Sequence, residues 1–255
     1  MSPPLDAPHL ECRKLSVRFG ARLALDEVSF SVPRHSICAL VGPANSGKSS
    51  LLKCINRTID FEPTARVSGE VLLDGVPVSK VADVLSLRRR VGMVFPLPVG
   101  LTMSIYDNVA WAPRSRGVRK RAELDVIVER ALRQAVLWDE VKDRLALLGT
   151  RLSGGQQQRL TLARALSMEP EVLCLDEFSI AIDPVTTMKI EDVLVQLKAT
   201  TTVVLSTNLV QQARRLADQV VFLNASKVVE CGDVATMFER PSVPMTARYL
   251  QGAIG

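Results

Sequence analysis

Two stretches of this sequence carry residue types that handle charged oxygens. The first is Gly42-Pro43-Ala44-Asn45-Ser46-Gly47-Lys48-Ser49, followed directly by Ser50. It fits the pattern of a glycine, four residues, then Gly-Lys-Ser. Glycines let backbone N–H groups turn inward around phosphate oxygens. A helix beginning there aims its positive end at an anion. Lys48 places a point charge between the outer phosphates, and Ser49 offers a hydroxyl to Mg²⁺. The second stretch is Asp176-Glu177, at the end of the apolar run Val172-Leu173-Cys174-Leu175. A carboxylate at the C-terminal end of a sheet strand lies in the crevice where open α/β sheets bind ligands. Asp176 can hold Mg²⁺ through its water shell, and Glu177 can take a proton from an attacking water. The blander readings are a glycine-rich turn and an acidic helix cap. The phosphate-loop context disfavours both.

These groups need elements to position them. Short apolar runs at 37–41, 71–73, 91–95, 172–175, 202–205 and 220–223 are strand-sized and bounded by Gly, Pro or polar residues. Several are apolar at every position, which fits a parallel sheet covered on both faces. One run precedes the glycine loop and a helical pattern, 50–55, follows it, as the motif requires. From Ser104 to Ala146 the periodicity is helical. Leu124, Ile127, Val128, Ala131, Leu132, Ala135 and Val136 recur three and four apart. The expected fold class is α/β, with a discontinuous core over 1–92 and 157–255 and a helical lobe at 93–156. The tail from Pro241 is weakly patterned.

Composition sets outer bounds. The chain has 255 residues, 47% of them hydrophobic, and a formal charge of +5. That suits one large domain or a domain with an inserted lobe. The basic stretches Arg88-Arg89-Arg90 and 114–121 lack interleaved aromatics and read as solvated faces, so no nucleic-acid partner is expected. Five scattered cysteines without a CxxC pair, several of them in apolar runs, read as buried free thiols in a reducing compartment. Only His9 and His35 could add imidazole ligands, which argues against zinc. No apolar run approaches a bilayer span and no secretory pattern opens the chain, so the expectation is a cytosolic protein.

A third stretch, Leu152-Ser153-Gly154-Gly155-Gln156, opens the helical pattern 157–167. It is a second helix N-terminus with exposed amides. Lying between the glycine loop and Asp176-Glu177, it makes the sequence resemble the ATP-binding cassette family over essentially its whole length. The resemblance implies the fold of that family's ATPases: a P-loop NTPase (RecA-like) core with an antiparallel β subdomain and an inserted α-helical subdomain. It implies ATP and Mg²⁺ as ligands, and a head-to-tail dimer with ATP between the phosphate loop of one cassette and Ser153, Gly154, Gly155 and Gln156 of the other. Asp183 matches the loop that communicates across that interface. Phe19, in Val17-Arg18-Phe19-Gly20, matches the aromatic that stacks on adenine; its alternative is a core side chain. The stretches 91–95, 103–109, 137–145 and 152–159 resemble more closely the ATPase subunits of phosphate importers (the Pst type). That implies transmembrane permease partners and a peripheral place at the cytoplasmic face of the inner (plasma) membrane, reached only through the permease.

Two positions depart from the family pattern. Pro96 stands where a glutamine follows the Val-Gly-Met-Val-Phe strand. The first glutamine in the chain is Gln134, so no shift in register supplies one. Asn208 stands where a histidine contacts the γ-phosphate, and asparagine carries no titrating proton. A third departure is Phe178, in place of the proline after the acidic pair. The expectation is an ATPase with binding groups intact and turnover slowed. The rivals are a degenerate cassette that gates by ATP-dependent dimerisation, and a cassette ATPase working without a membrane partner.

Overall fold

The computed structural model describes residues 8–98 and 100–253. Its strands are β1 (Leu10–Phe19), β2 (Arg22–Val32), β3 (Ile37–Val41), β4 (Ala65–Leu73), β5 (Val76–Pro77), β6 (Val91–Val94), β7 (Val172–Asp176), β8 (Thr202–Thr207), β9 (Gln219–Asn224) and β10 (Lys227–Asp233). Its α-helices are α1 (Lys48–Ile55), α2 (Val84–Arg90), α3 (Ile105–Ser115), α4 (Arg121–Gln134), α5 (Trp138–Val141), α6 (Gly154–Leu166), α7 (Pro184–Leu197), α8 (Val210–Leu216), α9 (Val234–Glu239) and α10 (Pro244–Leu250).

The strands form two sheets. One has six strands in the order β10-β9-β3-β8-β7-β6 and is parallel except for β10. The other is antiparallel, in the order β2-β1-β4-β5. Successive residues of a strand face opposite sides of its sheet. In the six-stranded sheet both sides are buried. Ile37, Ala39 and Val41 enter one hydrophobic cluster, shared with α3, α4 and α6. Cys38 and Leu40 enter the other, shared with the antiparallel sheet and α1. This is why β3 and β7 are buried at every residue.

The helical lobe is built on a period near 3.6. In α4, Leu124, Val128, Ala131 and Leu132 are the buried residues, turned toward α3 and α6. Helix α6 belongs to both parts of the molecule. It packs on α3 and α4, yet also contacts β6 at the edge of the core sheet.

Three expectations change in detail. The weakly patterned tail forms a helix. Pro244 at the start of α10 fixes a helical φ, and Tyr249 from that helix is 4% exposed and stacked on Phe222 at 4.7 Å between ring centroids. The arginine run is not simply a solvated face. Arg90 pairs with Asp74 and Glu171, and Arg88 donates to the Asn56 and Arg57 carbonyls while lying over the Phe61 ring. Four cysteines are buried, and burial raises their thiols, that of Cys54 to about 12, but Cys231 is exposed.

Candidate active site

The site forms where β3, β8 and β7 end side by side. Val41 is in register with Thr207, and Asp176 with Ser206. The glycine loop leaves β3 and the acidic pair leaves β7, so sheet register alone brings groups more than 120 residues apart to one edge. Tight geometry holds the loop. Gly47 has φ 107°, and a Cβ there would sit 2.4 Å from the Ala24 carbonyl oxygen. Only glycine meets both demands. Gly47 also caps α1, with no side-chain hydrogen bond to the first amides of that helix.

The polar groups hold one another in place. Lys48 is 4% exposed, and its Nζ donates to the carbonyls of Gly42 at 2.7 Å and Pro43 at 3.0 Å. Burial lowers the Lys48 ammonium from its ordinary pKa, while the carboxylates of Glu177 and Asp176 pull it up. Asp176 is 2% exposed, and one of its oxygens accepts from Ser49 Oγ at 3.0 Å and from Ser206 Oγ at 2.5 Å. Glu177 sits at φ 43°, a left-handed conformation that costs a non-glycine residue roughly 1 kcal/mol or more. Its N–H is anchored on Ser206, at 3.1 Å to the carbonyl and 3.2 Å to the hydroxyl. Phe178, in the place of the expected proline, is 1% exposed and anchors the turn into the core. Asn208 Nδ2 donates to Glu177 Oε1 at 2.7 Å.

Ala44, Asn45, Ser46, Gly47, Lys48, Ser49 and Ser50 line one cavity of about 270 Å³ together with Glu177 and Asn208. Asp176 lies beneath it, bonded to Ser49. Gly42 and Pro43 form the base of the loop through their bonds to Lys48. The other predicted residues lie outside this cavity. Phe19 is half-buried at the end of β1, against the cluster of the antiparallel sheet. Ser153 caps α6 with Gly154, Gly155 and Gln156 as its first turn, and Asp183 caps α7, accepting from the Thr186 N–H at 2.9 Å. Pro96 lies in the bend after β6, where Gln158 Nε2 from α6 donates to the Phe95 carbonyl at 2.9 Å.

Sequence reasoning missed several residues. Arg22 lines the cavity and reaches Asn45 Oδ1 at 3.2 Å, adding a second cation. Ser206 buttresses Asp176. Tyr249 OH accepts from the Gly42 N–H at 3.1 Å, tying the C-terminal helix to the loop. None of these carries a local motif. A cavity of about 320 Å³ elsewhere, lined by Arg130, Glu169 and Thr200 among others, contains no residue of the glycine loop or the acidic pair.

A sequence model of the ABC transporter family matches residues 25–179, more than half of the chain and the span from β2 through the acidic pair. This chain belongs to the ABC transporter family. Within that family it is an ATP-binding ATPase subunit, with the expected α/β fold. Over 99% of its length it is 44% identical to the phosphate import ATP-binding protein PstB of Shewanella denitrificans, covering 96% of that protein. Two solved structures share the ABC fold with it. A bacterial Atm1-family ABC exporter with ATP bound superposes with TM-score 0.83 at 24% identity, over 99% of this chain and 43% of the exporter chain. The cbiO1 subunit of Clostridium perfringens, part of the ABC transporter complex cbiONQ, gives TM-score 0.78 at 24% identity, over 92% and 93%. No helix among the described residues of this ABC subunit is long and apolar enough to cross a membrane.

Proposed function

We propose that this ABC subunit hydrolyses ATP to energise an importer of inorganic phosphate. One observation carries the hydrolytic part: Lys48, Ser49 and Glu177 share a single cavity over buried Asp176, at the ends of adjacent strands. The triphosphate belongs in the loop of Gly42, Pro43, Ala44, Asn45, Ser46, Gly47, Lys48, Ser49 and Ser50, whose uncapped amides suit anionic oxygen. Lys48, released from the Gly42 and Pro43 carbonyls, neutralises the outer phosphates. The donor set beneath it is a hydroxyl and a carboxylate 3.0 Å apart. Hard oxygens of this kind fit Mg²⁺, so Ser49 and Asp176 are the residues that would hold it. When bound, the ion neutralises charge developing on the phosphate oxygens. Glu177 accepts the proton of the attacking water as the new P–O bond forms and the bond to ADP breaks. Asn208 holds Glu177 through an amide hydrogen and contacts the γ-phosphate side of the cavity.

The 44% identity to a phosphate import protein supports the cargo. In this reading the partners are transmembrane permease subunits at the cytoplasmic face of the inner membrane, with no direct membrane or nucleic-acid contact. A second cassette completes the site head to tail, its Ser153, Gly154, Gly155 and Gln156 facing the nucleotide, Asp183 at the junction and Phe19 against the base. The helical lobe over 93–156 is the part that carries that signature turn.

Steady-state phosphate release from the purified chain tests the chemistry. Glu177→Gln should reduce it by about 10²–10³-fold, the loss typical for removing one group that acts in the transition state. Release unchanged by Glu177→Gln would exclude Glu177 as the base. High-affinity phosphate uptake by cells lacking the gene tests the cargo, and unaltered uptake would remove it.

A further inference from the structure

The signature turn is held from outside its own helix. In a capping box, the first side chain bonds the amide three residues on, and that residue's side chain reaches back. Here the Gln156 N–H donates to Ser153 Oγ at 3.3 Å, and the Ser153 N–H donates to Gln156 Oε1 at 3.0 Å. That leaves the Gln156 side-chain amide hydrogens for another partner. Gln156 Nε2 donates to Glu140 Oε2, on α5, at 2.8 Å. Glu140 is fixed in turn by Arg159, whose Nη1 lies 2.5 Å from Oε1 and whose Nη2 lies 3.2 Å from Oε2. The Arg159 side chain is 7% exposed and also donates to the Val136 carbonyl at 2.6 Å, at the end of α4.

We propose that Glu140 is a positioning residue for the signature end: acting through Gln156, it fixes the first turn of α6 for the nucleotide of a second copy. The inference rests on the head-to-tail reading above. Its physical logic has two parts. Gln156 has several rotatable bonds on a half-buried surface, and a second anchor removes the freedom it would otherwise lose on docking. A carboxylate beside a helix N-terminus also competes with an incoming anion. The guanidinium of Arg159 cancels that charge and holds the Glu140 carboxyl below its ordinary range, with Gln156 adding to the effect. The pair therefore orients the turn without repelling phosphate.

The test uses the full chain carrying Glu177→Gln, so that ATP persists. ATP-dependent dimerisation is followed by sedimentation, and binding of a fluorescent ATP analogue to the monomer is measured separately. Adding Glu140→Ala should weaken dimerisation about tenfold, with monomer nucleotide affinity unchanged within about twofold, as expected for loss of one charge-assisted contact. The decisive measurement is the cycle with Gln156→Ala. If Glu140 acts through Gln156, the double variant should dimerise no more weakly than Gln156→Ala alone, whereas independent losses would add. Additive losses, dimerisation as tight as the parent, or equal loss of monomer nucleotide binding would each overturn the assignment. Should the Glu177→Gln parent itself fail to dimerise with ATP, the head-to-tail reading falls first and takes this one with it.

Discussion

Helix α1 follows a glycine cap, Gly47, and helix α6 opens with Gly154 and Gly155. Their first turns are finished in opposite ways. At α1 the cap is Gly47, and no side chain satisfies the leading amides. The turn is packed against Ala24 and Leu25, and its lysine is buried. At α6 the cap is Ser153, with a complete capping box and an outside carboxylate behind it. The first four N–H groups of any helix lack intrahelical partners. One that leaves them uncapped in a concave site is reserving them for a ligand; one that caps itself is a finished surface, stable without a ligand. In the proposed head-to-tail dimer the α1 end is then the receptor, and the α6 end the part presented to the second copy.

The sharpest way to break that contrast is at Lys48. Lys48→Ala removes the only buried cation among the residues described at the phosphate cavity. It should weaken nucleotide binding and turnover by about 10²–10³-fold, the scale of one preorganised charge contact. Fluorescent-nucleotide titration checks the binding and phosphate release the rate. If Arg22, the second cation of the cavity, carries the load instead, Lys48→Ala will bind normally and Arg22→Ala will not.

Next in size is Asn208→His. The histidine side chain restores a titrating donor to a position that now holds Glu177 only by an amide hydrogen. Turnover should rise by about tenfold, short of the roughly 10²–10⁴-fold that a general acid–base group can contribute, because Glu177 remains the base; nucleotide affinity should stay unaltered. A fall in rate would show that the Asn208 amide serves Glu177 better than an imidazole does, and would overturn the expectation of slowed turnover at this position.

The sequence made the receptor end legible because it is contiguous. Eight residues in a row carry the loop, and a run of buried apolar residues leads into Asp176 and Glu177. The reinforcing residues were not legible, because only register or packing places them. Ser206 meets Asp176 through strand pairing, and Tyr249 meets Gly42 across 207 positions of chain. Strands β1 and β2 escaped for a local reason. Their pairing carries several register shifts, which interrupt the period of two that reveals a half-buried strand. Helix α6 was expected to begin at Gln157 and begins at Gly154. Glycine is a poor helix former, and a serine cap rather than propensity sets the start. The signature glycines therefore lie inside the helix rather than in the loop before it.

That placement has a cost that can be measured at Gly155. A Cβ there would lie 2.8 Å from the Ala181 carbonyl oxygen, in the segment leading to Asp183. The first turn of α6 thus rests directly on the loop expected to signal across the dimer. Gly155→Ala should cost about 1–3 kcal/mol by overpacking. The fold should survive, with ATP binding to the monomer retained and turnover reduced. Thermal unfolding together with phosphate release separates the two effects. Normal turnover with normal stability would show that the neighbouring backbone yields freely, and that the two loops are not mechanically joined.

The smallest expected effect lies at the floor of the receptor end. Tyr249→Phe keeps the ring stacked on Phe222 and deletes only the oxygen that accepts from the Gly42 N–H. A net contribution of about 1 kcal/mol is typical for one hydrogen bond, which corresponds to roughly 2–4 °C in Tm for a domain of this size. The Tm alone would not distinguish a structural tie from a functional one, because any buried tyrosine can stabilise. Saturating ATP does distinguish them. A ligand that binds only the folded form adds stability in proportion to its affinity. If the hydroxyl merely staples α10 to the sheet, the ATP-induced rise in Tm will match that of the parent. If it sets the entry angle of the glycine loop, the rise will shrink as well, and the uncapped turn of α1 will prove to depend on the last helix of the chain.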